Sequence, residues 1–361
     1  MMGDFMIVLL AFVLSVGATV LVRLCAQYFQ IIDVPTGGRK IHVRPVALLG
    51  GVAVILSTLI AFWIASPDLF GGYLLHKHLV GVSIAAGLLL VGGALDDRLN
   101  LPPLAQFFFP VTATAVIIIS GIGIDYITSP FGGVWYFDQW NIQVFEWNGT
   151  PYFFTVWADL FTFCWLLTMM YTTKFLDGLD GLVSGISVIG LVIIAVLSYS
   201  ATVGQPETGL LALIAGAAFA GFLVFNWNPA SIFLGESGSL FSGFILGVLA
   251  IISGGKIATT LLIIGIPLFD VMWVVARRVF FERRSPFQAD RKHLHLRLID
   301  AGFSQRQAAG LLYAVTAVFG ASALLLQGDE KLIALIILSV VMVLIGASAV
   351  YWYQTHKSSD R

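Results

Sequence analysis

Lys174-Phe175-Leu176-Asp177-Gly178-Leu179-Asp180-Gly181 lies between two apolar runs, 152–173 and 182–200. Each run has about the ~17–25 helical residues needed to cross a ~30 Å hydrocarbon layer. The chain therefore sets two aspartates and a lysine at the edge of a membrane, in a turn made tight by glycine. Nine more apolar runs extend outward from this pair: 5–22, 47–66, 79–95, 104–122, 209–225, 240–253, 257–276, 308–327 and 332–353. The run 240–253 is short and has room to begin near Ser237. The first run lacks a basic start and a small-residue cleavage pattern, so it reads as a helix and not as a signal peptide.

Composition agrees. Of 361 residues, 58% are apolar and only 11% charged, and the mean hydropathy is +0.94. An ordinary soluble domain carries about 25% charged residues. This excludes a soluble enzyme, a disordered chain and a secreted disulfide scaffold. The net charge of −1 says little, because placement matters more than the sum. Cys25 and Cys164 read as small core residues, with no sign of a disulfide framework. The expected fold is an all-α polytopic membrane protein, one domain over 1–361, with eleven transmembrane helices.

Eleven spans put the termini on opposite sides. With the N-terminus outside and the C-terminus cytoplasmic, the cytoplasmic segments hold 16 of the 19 basic residues, leaving Lys77, Lys256 and Lys331 outside. The positive-inside rule fixes this orientation. The working loops are then 23–46, 96–103, 174–181, 226–239 and 277–305. The outer loop 123–151 has no Lys or Arg. Its segment 134–144 predicts a short β-hairpin at the membrane surface, with Trp135, Trp140 and Trp147 at headgroup level.

The cytoplasmic connections are short and acidic. Asp96 and Asp97 end the third run, Asp177 and Asp180 follow the fifth, and Glu236 follows the seventh. Asp177 and Asp180 share a face if the sixth helix begins at them. A helix C-terminus disfavours acids, so an adjacent pair there needs a compensating cation. Five carboxylates on one side, without Cys and with few His nearby, point to a hard divalent ion, Mg2+ or Mn2+. The alternative is that each loop is merely solvated and caps its helix. Two basic stretches share that side: Arg39, Lys40, His42 and Arg44 in one, and Arg283 through Arg297, with Arg291, His293 and His295, in the other. Anchoring to anionic lipid accounts for Arg277, Arg278 and Arg306, but not for the imidazoles. A carboxylate-bound metal facing bases and imidazoles suits a phosphate-rich substrate. Zinc at His293 and His295 lacks a third soft ligand.

These stretches, taken together and in order, resemble the bacterial polyprenyl-phosphate N-acetylhexosamine-1-phosphate transferases. That family includes the undecaprenyl-phosphate N-acetylglucosaminyl 1-phosphate transferases and the phospho-MurNAc-pentapeptide translocases. The resemblance runs from about Ile31 to Gln307, through Arg39-Lys40-Ile41-His42, Gly93-Ala94-Leu95-Asp96-Asp97, Asp177-Gly178-Leu179-Asp180, the 226–239 loop, Pro267 with Asp270, and Ser285-Pro286-Phe287 through His295. It implies attack of a lipid phosphate on the β-phosphorus of a UDP-N-acetyl amino sugar, with UMP leaving, as the first membrane step of an envelope glycan. It implies catalytic roles for Asp96, Asp97, Asp177, Asp180 and His293. Glu236 with Asp96 or Asp97 would bind metal. Arg39, Lys40, His42, Lys174, Asn226, Arg291 and His295 would hold substrate. The implied partners are undecaprenyl phosphate, the UDP-sugar and the bilayer, with no nucleic acid; a homodimer is compatible with all of this.

The chain leaves the family pattern at Lys174, where Asn is usual, at Glu236, where Asp is usual, and at Leu296, where His is common. Lys174 is expected to pair with Asp177 or with substrate phosphate, or else to snorkel to the interface. UDP-GlcNAc is the favoured donor, with phospho-MurNAc-pentapeptide transfer the alternative. An aspartyl-phosphate route is an alternative to direct attack. A secondary transporter is the rival from another class. It would place ionisable groups near the midplane of repeated halves, whereas only Asp159 and Asp270 fall within runs here and no repeat is evident.

Overall fold

The computed structural model describes residues 2–35, 44–70, 74–129, 133–147, 150–201, 203–254, 257–283, 293–326 and 328–359. Every predicted span falls on a helix. In chain order these are α1 (Met2–Tyr28), α2 (Gly50–Leu69), α3 (His76–Leu99), α4 (Pro103–Ile119), α5 (Val156–Leu176), α6 (Leu182–Tyr199), α7 (Pro206–Asn226), α8 (Gly235–Ile252), α9 (Ile257–Ala276), α11 (Gln305–Leu325) and α12 (Asp329–Ser359). The short α10 (Leu294–Asp300) lies between the last two pairs of these. Among the described residues, nine helices are long and apolar enough to cross a membrane. The helix α4 is shorter, at 17 residues. The helix α5 has the length, 21 residues, but carries Asp159, Lys174 and four threonines.

The helix α8 organises the bundle. It packs on α2, α3, α5, α6, α7 and α9, and every residue from Ser237 to Ile251 is buried. A helix with apolar residues on all sides needs such a place. Its N-terminal turn meets two neighbours backbone to backbone. A Cβ on Gly51 of α2 would collide with the Gly238 backbone, and one on Gly93 of α3 with the Ser237 backbone. Small residues at crossings let helices approach closely where lipid offers no hydrophobic drive. Here they hold the start of α8, and with it Glu236, against the acidic end of α3. A two-stranded sheet, β1 (Ile32–Asp33) with β2 (Val46–Ala47), seals the same end. Ala47 bridges to Ile232, and Phe233 N–H donates to the Ala47 carbonyl at 2.8 Å.

Three expectations are corrected. The 134–144 segment does not pair with itself. Instead β3 (Tyr126–Thr128) pairs with β4 (Val134–Tyr136), and β5 (Asn141–Trp147) pairs with β6 (Thr150–Thr155). Phe137 stacks on Phe161 of α5 with ring centroids 5.3 Å apart, which pulls the chain out of the sheet between β4 and β5. Trp135 and Trp140 are exposed as expected; the Trp147 side chain lies outside the described residues. The two cysteines are not core residues, for both lie exposed on the outer face of the bundle. Asp159, expected within a span, sits in the first turn of α5 and accepts the Thr155 N–H at 2.8 Å, at the helix start.

Candidate functional site

The helix ends at the far side from these hairpins converge on one open pocket of about 360 Å³. Its lining includes Asp33, Asp97, Lys174, Asp177, Asp180, Asn226, Glu236 and Gln305. Three loops distant in sequence thus bring four of the five predicted carboxylates together. The fifth, Asp96, is buried and turned aside. Its Oδ1 accepts the Leu101 N–H at 2.7 Å and Gln106 Nε2 at 3.1 Å, closing the end of α3.

Asp97 and Glu236 are the nearest to a metal pair. Asp97 Oδ1 accepts the Glu236 backbone N–H at 3.0 Å. Asp97 Oδ2 is buried without a hydrogen-bond partner, and a bare carboxylate oxygen is costly unless a cation reaches it. It lies over Gly235, whose φ of +73° and lack of Cβ leave room for it. Among the described residues, no three Asp, Glu, His or Cys side chains are grouped as a ready cage.

Lys174 does not meet Asp177. The helix ends at Leu176, and Asp177 leaves the helical path with ψ of 64°, which breaks the three-residue spacing between them. Lys174 Nζ instead forms an ion pair with Glu236 Oε2 at 2.8 Å. It also donates to Gln106 Oε1 at 3.1 Å. The two positions where this chain departs most from the family pattern therefore touch each other.

Asp177 and Asp180 lie in a loop and not on α6, which begins at Leu182. Asp177 is exposed to the open pocket, with the bulk of the protein packed behind it. Desolvation by that packing, then Glu236, Asp97 and Asp180 in turn, push its carboxyl up to about 8. Asp180 Oδ2 accepts Asn228 Nδ2 at 2.8 Å and the Ala230 N–H at 3.0 Å. Asn226 clasps the same two loops. Its Oδ1 accepts the Gly181 N–H at 3.1 Å and Ser184 Oγ at 2.8 Å, and its Nδ2 donates to the Ile232 carbonyl at 3.0 Å.

The histidines form a second group beside the pocket. His293 Nδ1 lies 2.9 Å from Asp270 Oδ2, while Asp270 Oδ1 accepts the Leu294 N–H at 2.8 Å. One carboxylate thus fixes both the start of α10 and the imidazole. His293 stacks on Phe175 and on His295. His295 is buried against the backbone of Gly178. Burial depresses it to about 4, outweighing Asp270, so it is neutral at pH 7. Arg39, Lys40, His42 and Arg291 lie outside the described residues.

Residues 79–254 match the model of the family described as glycosyl transferase family 4. A decaprenyl-phosphate N-acetylglucosaminephosphotransferase of Mycolicibacterium smegmatis is 30% identical over 84% of this chain and 77% of its own. A protein of Bacillus subtilis named "Probable undecaprenyl-phosphate N-acetylglucosaminyl 1-phosphate transferase" is 28% identical over 90% and 85%. An undecaprenyl-phosphate alpha-N-acetylglucosaminyl 1-phosphate transferase of Escherichia coli is 27% identical over 84% and 79%. The chain belongs to glycosyl transferase family 4.

Within this family member, three residues at the site escape a reading of the acids at span ends. Asp33 of β1 and Gln305 at the start of α11 line the pocket, and Gln106, behind the lining, links Lys174 to Asp96. Asp33 carried a signal only as an acid after the first span, and Gln106 as a lone amide in the apolar start of α4.

Proposed function

We propose that the chain transfers N-acetylglucosamine 1-phosphate from UDP-N-acetylglucosamine to undecaprenyl phosphate. An oxygen of the lipid phosphate bonds to the β-phosphorus of the donor, the bond from that phosphorus to the bridging oxygen breaks, and UMP leaves. The observation that carries this reading is the acidic pocket at the membrane edge of a family 4 bundle, with an orphaned Asp97 oxygen beside Glu236. The acceptor's isoprenoid tail needs the bilayer, and its phosphate needs the edge.

Asp97 and Glu236 would hold Mg2+, which when bound would neutralise charge on the transferring diphosphate. The remaining steps belong to the protein. A phosphate monoester is largely ionised at pH 7, so the chief tasks are alignment and exclusion of water. Asp180 and Asn226 keep the two loops in register, fixing the pocket's width. Asp177 sits at its wall, exposed to the pocket and within the same acidic cluster, placed to face the bound phosphates. His293, held by Asp270 beside the pocket, is assigned to the donor. The basic residues outside the described segments, Arg39, Lys40, His42 and Arg291, are assigned to the diphosphate. The pocket faces the cytoplasm, by the distribution of Lys and Arg.

The test is a radiolabel assay of purified protein with undecaprenyl phosphate, Mg2+ and a panel of UDP-sugars. Label should enter the lipid from UDP-GlcNAc and depend on Mg2+. Labelling only from another amino sugar would overturn the donor, and no labelling from any would overturn the reaction.

A further inference from the structure

Lys174 is the one cation in the pocket wall among the described residues, facing Asp33, Asp97, Asp177, Asp180 and Glu236. It is held in place on both sides. Its Nζ lies 2.8 Å from Glu236 Oε2 and donates to Gln106 Oε1 at 3.1 Å. Gln106 is itself fixed, donating from Nε2 to Asp96 Oδ1 and to the Leu101 carbonyl at 2.9 Å. The side chain is 15% exposed, too sheltered for a lysine that merely reaches toward the interface. The ammonium therefore occupies one of the two carboxylates to which the metal is assigned, while the other, Asp97, keeps a bare oxygen.

A divalent ion shared by Asp97 and Glu236 cannot coexist with an ammonium 2.8 Å from one of them without strong repulsion. The geometry points to Lys174 as a resident counter-ion that competes with the divalent metal for Glu236 and is displaced when metal binds. The displaced ammonium, on a flexible four-carbon stem, stays within the pocket, among Asp33, Asp177 and Asp180 and within reach of an incoming diphosphate. Glu236 is thus never an unpaired buried charge: it is neutralised by lysine before loading and by metal after. This inference rests on the assignment of Asp97 and Glu236 as the metal pair, and it adds a role for Lys174 distinct from pairing with Asp177.

The experiment measures metal binding without substrate, so that it stands apart from turnover. Mn2+ is titrated into the purified full-length protein and free ion is read by electron paramagnetic resonance. Lys174→Met should tighten Mn2+ binding about tenfold, since a like charge is removed from the site. Lys174→Arg should stay within about threefold of the wild type, because it keeps the charge. An affinity in Lys174→Met equal to the wild type, or weaker, would overturn the inference. A second measurement needs no variant. Acetylation of Lys174 by a water-soluble anhydride, read by mass spectrometry, should rise severalfold when Mg2+ is added without nucleotide, while Lys77 stays constant. An unchanged or slower rate at Lys174 would overturn it too. If transfer from UDP-GlcNAc requires Mg2+ yet neither measurement responds, this inference alone falls. If the wild type binds no Mn2+, the metal assignment falls with it.

Discussion

The two ends of this bundle are built from the same kind of helix and finished in opposite ways. At the hairpin end, β3 to β6 pair with their sequence neighbours and leave Tyr136, Trp140, Ile142 and Val144 exposed. At the pocket end, loops far apart in sequence are tied by carboxylates and amides, Asp97 to Glu236, Asp180 to Ala230 and Asn226 to Gly181. The hairpins satisfy their backbone locally and ask little of the bundle. The pocket loops spend side-chain acceptors on distant backbone, which fixes their spacing and leaves one oxygen of Asp97 bare. Rigid spacing around unspent charge is what a phosphoryl-transfer site requires, and only one end has it.

If that contrast carries the function, substitutions at the pocket end should dominate. Asp97→Asn and Glu236→Gln keep size and remove charge, and each should lower kcat by about 10²–10³-fold while the protein still purifies as a folded species. Retention of a tenth of the wild-type rate by both would dissolve the metal pair. Gly235→Ala comes next. It forces a side chain onto a φ of +73° and into the space of the Asp97 carboxylate. With strain of ~1–3 kcal/mol, a loss of about ten- to a hundredfold in kcat/KM is expected, measured on protein of unchanged helical content.

Much of this was legible beforehand because it rests on periodicity and charge. Long apolar runs required helices, and the eleven predicted runs lie on helices. Asp97, Asp177, Asp180 and Glu236 stood out as acids at span ends, and they line one pocket. What was not legible depends on where a helix stops. Lys174 and Asp177 are three apart in sequence, but α5 ends between them, so the lysine turns to α8. Asp96 is next to Asp97, yet one step along a helix rotates it away into the end of α3. The hairpin pairing was missed because each strand's partner lies outside 134–144: β4 pairs back to β3 and β5 forward to β6.

Two smaller effects sharpen the comparison. Asp270→Ala should lower kcat about tenfold by freeing the His293 ring and the start of α10, at a cost of ~1–3 kcal/mol for the unpaired groups. Nitrogen-15 spectra of labelled histidine should then show the His293 ring shared between its tautomers, whereas a purely structural role would leave that ring unchanged. At the other end, Trp135→Ala and Trp140→Ala should stay within about twofold of the wild-type rate, since exposed positions seldom exceed ±0.5 kcal/mol. A tenfold loss from either would mean the hairpins take part in catalysis and the contrast between the ends is false.

The central claim is that the bond broken lies between the two phosphorus atoms of the donor. The direct test supplies UDP-GlcNAc labelled with phosphorus-32 at the β-phosphate and tritium in the uridine, with undecaprenyl phosphate and Mg2+. The account predicts that all transferred phosphorus-32 appears in the lipid and that tritium appears in UMP in equal amount. Release of tritium as UDP, with the β-phosphate still attached, would mean transfer of the sugar alone and would contradict it.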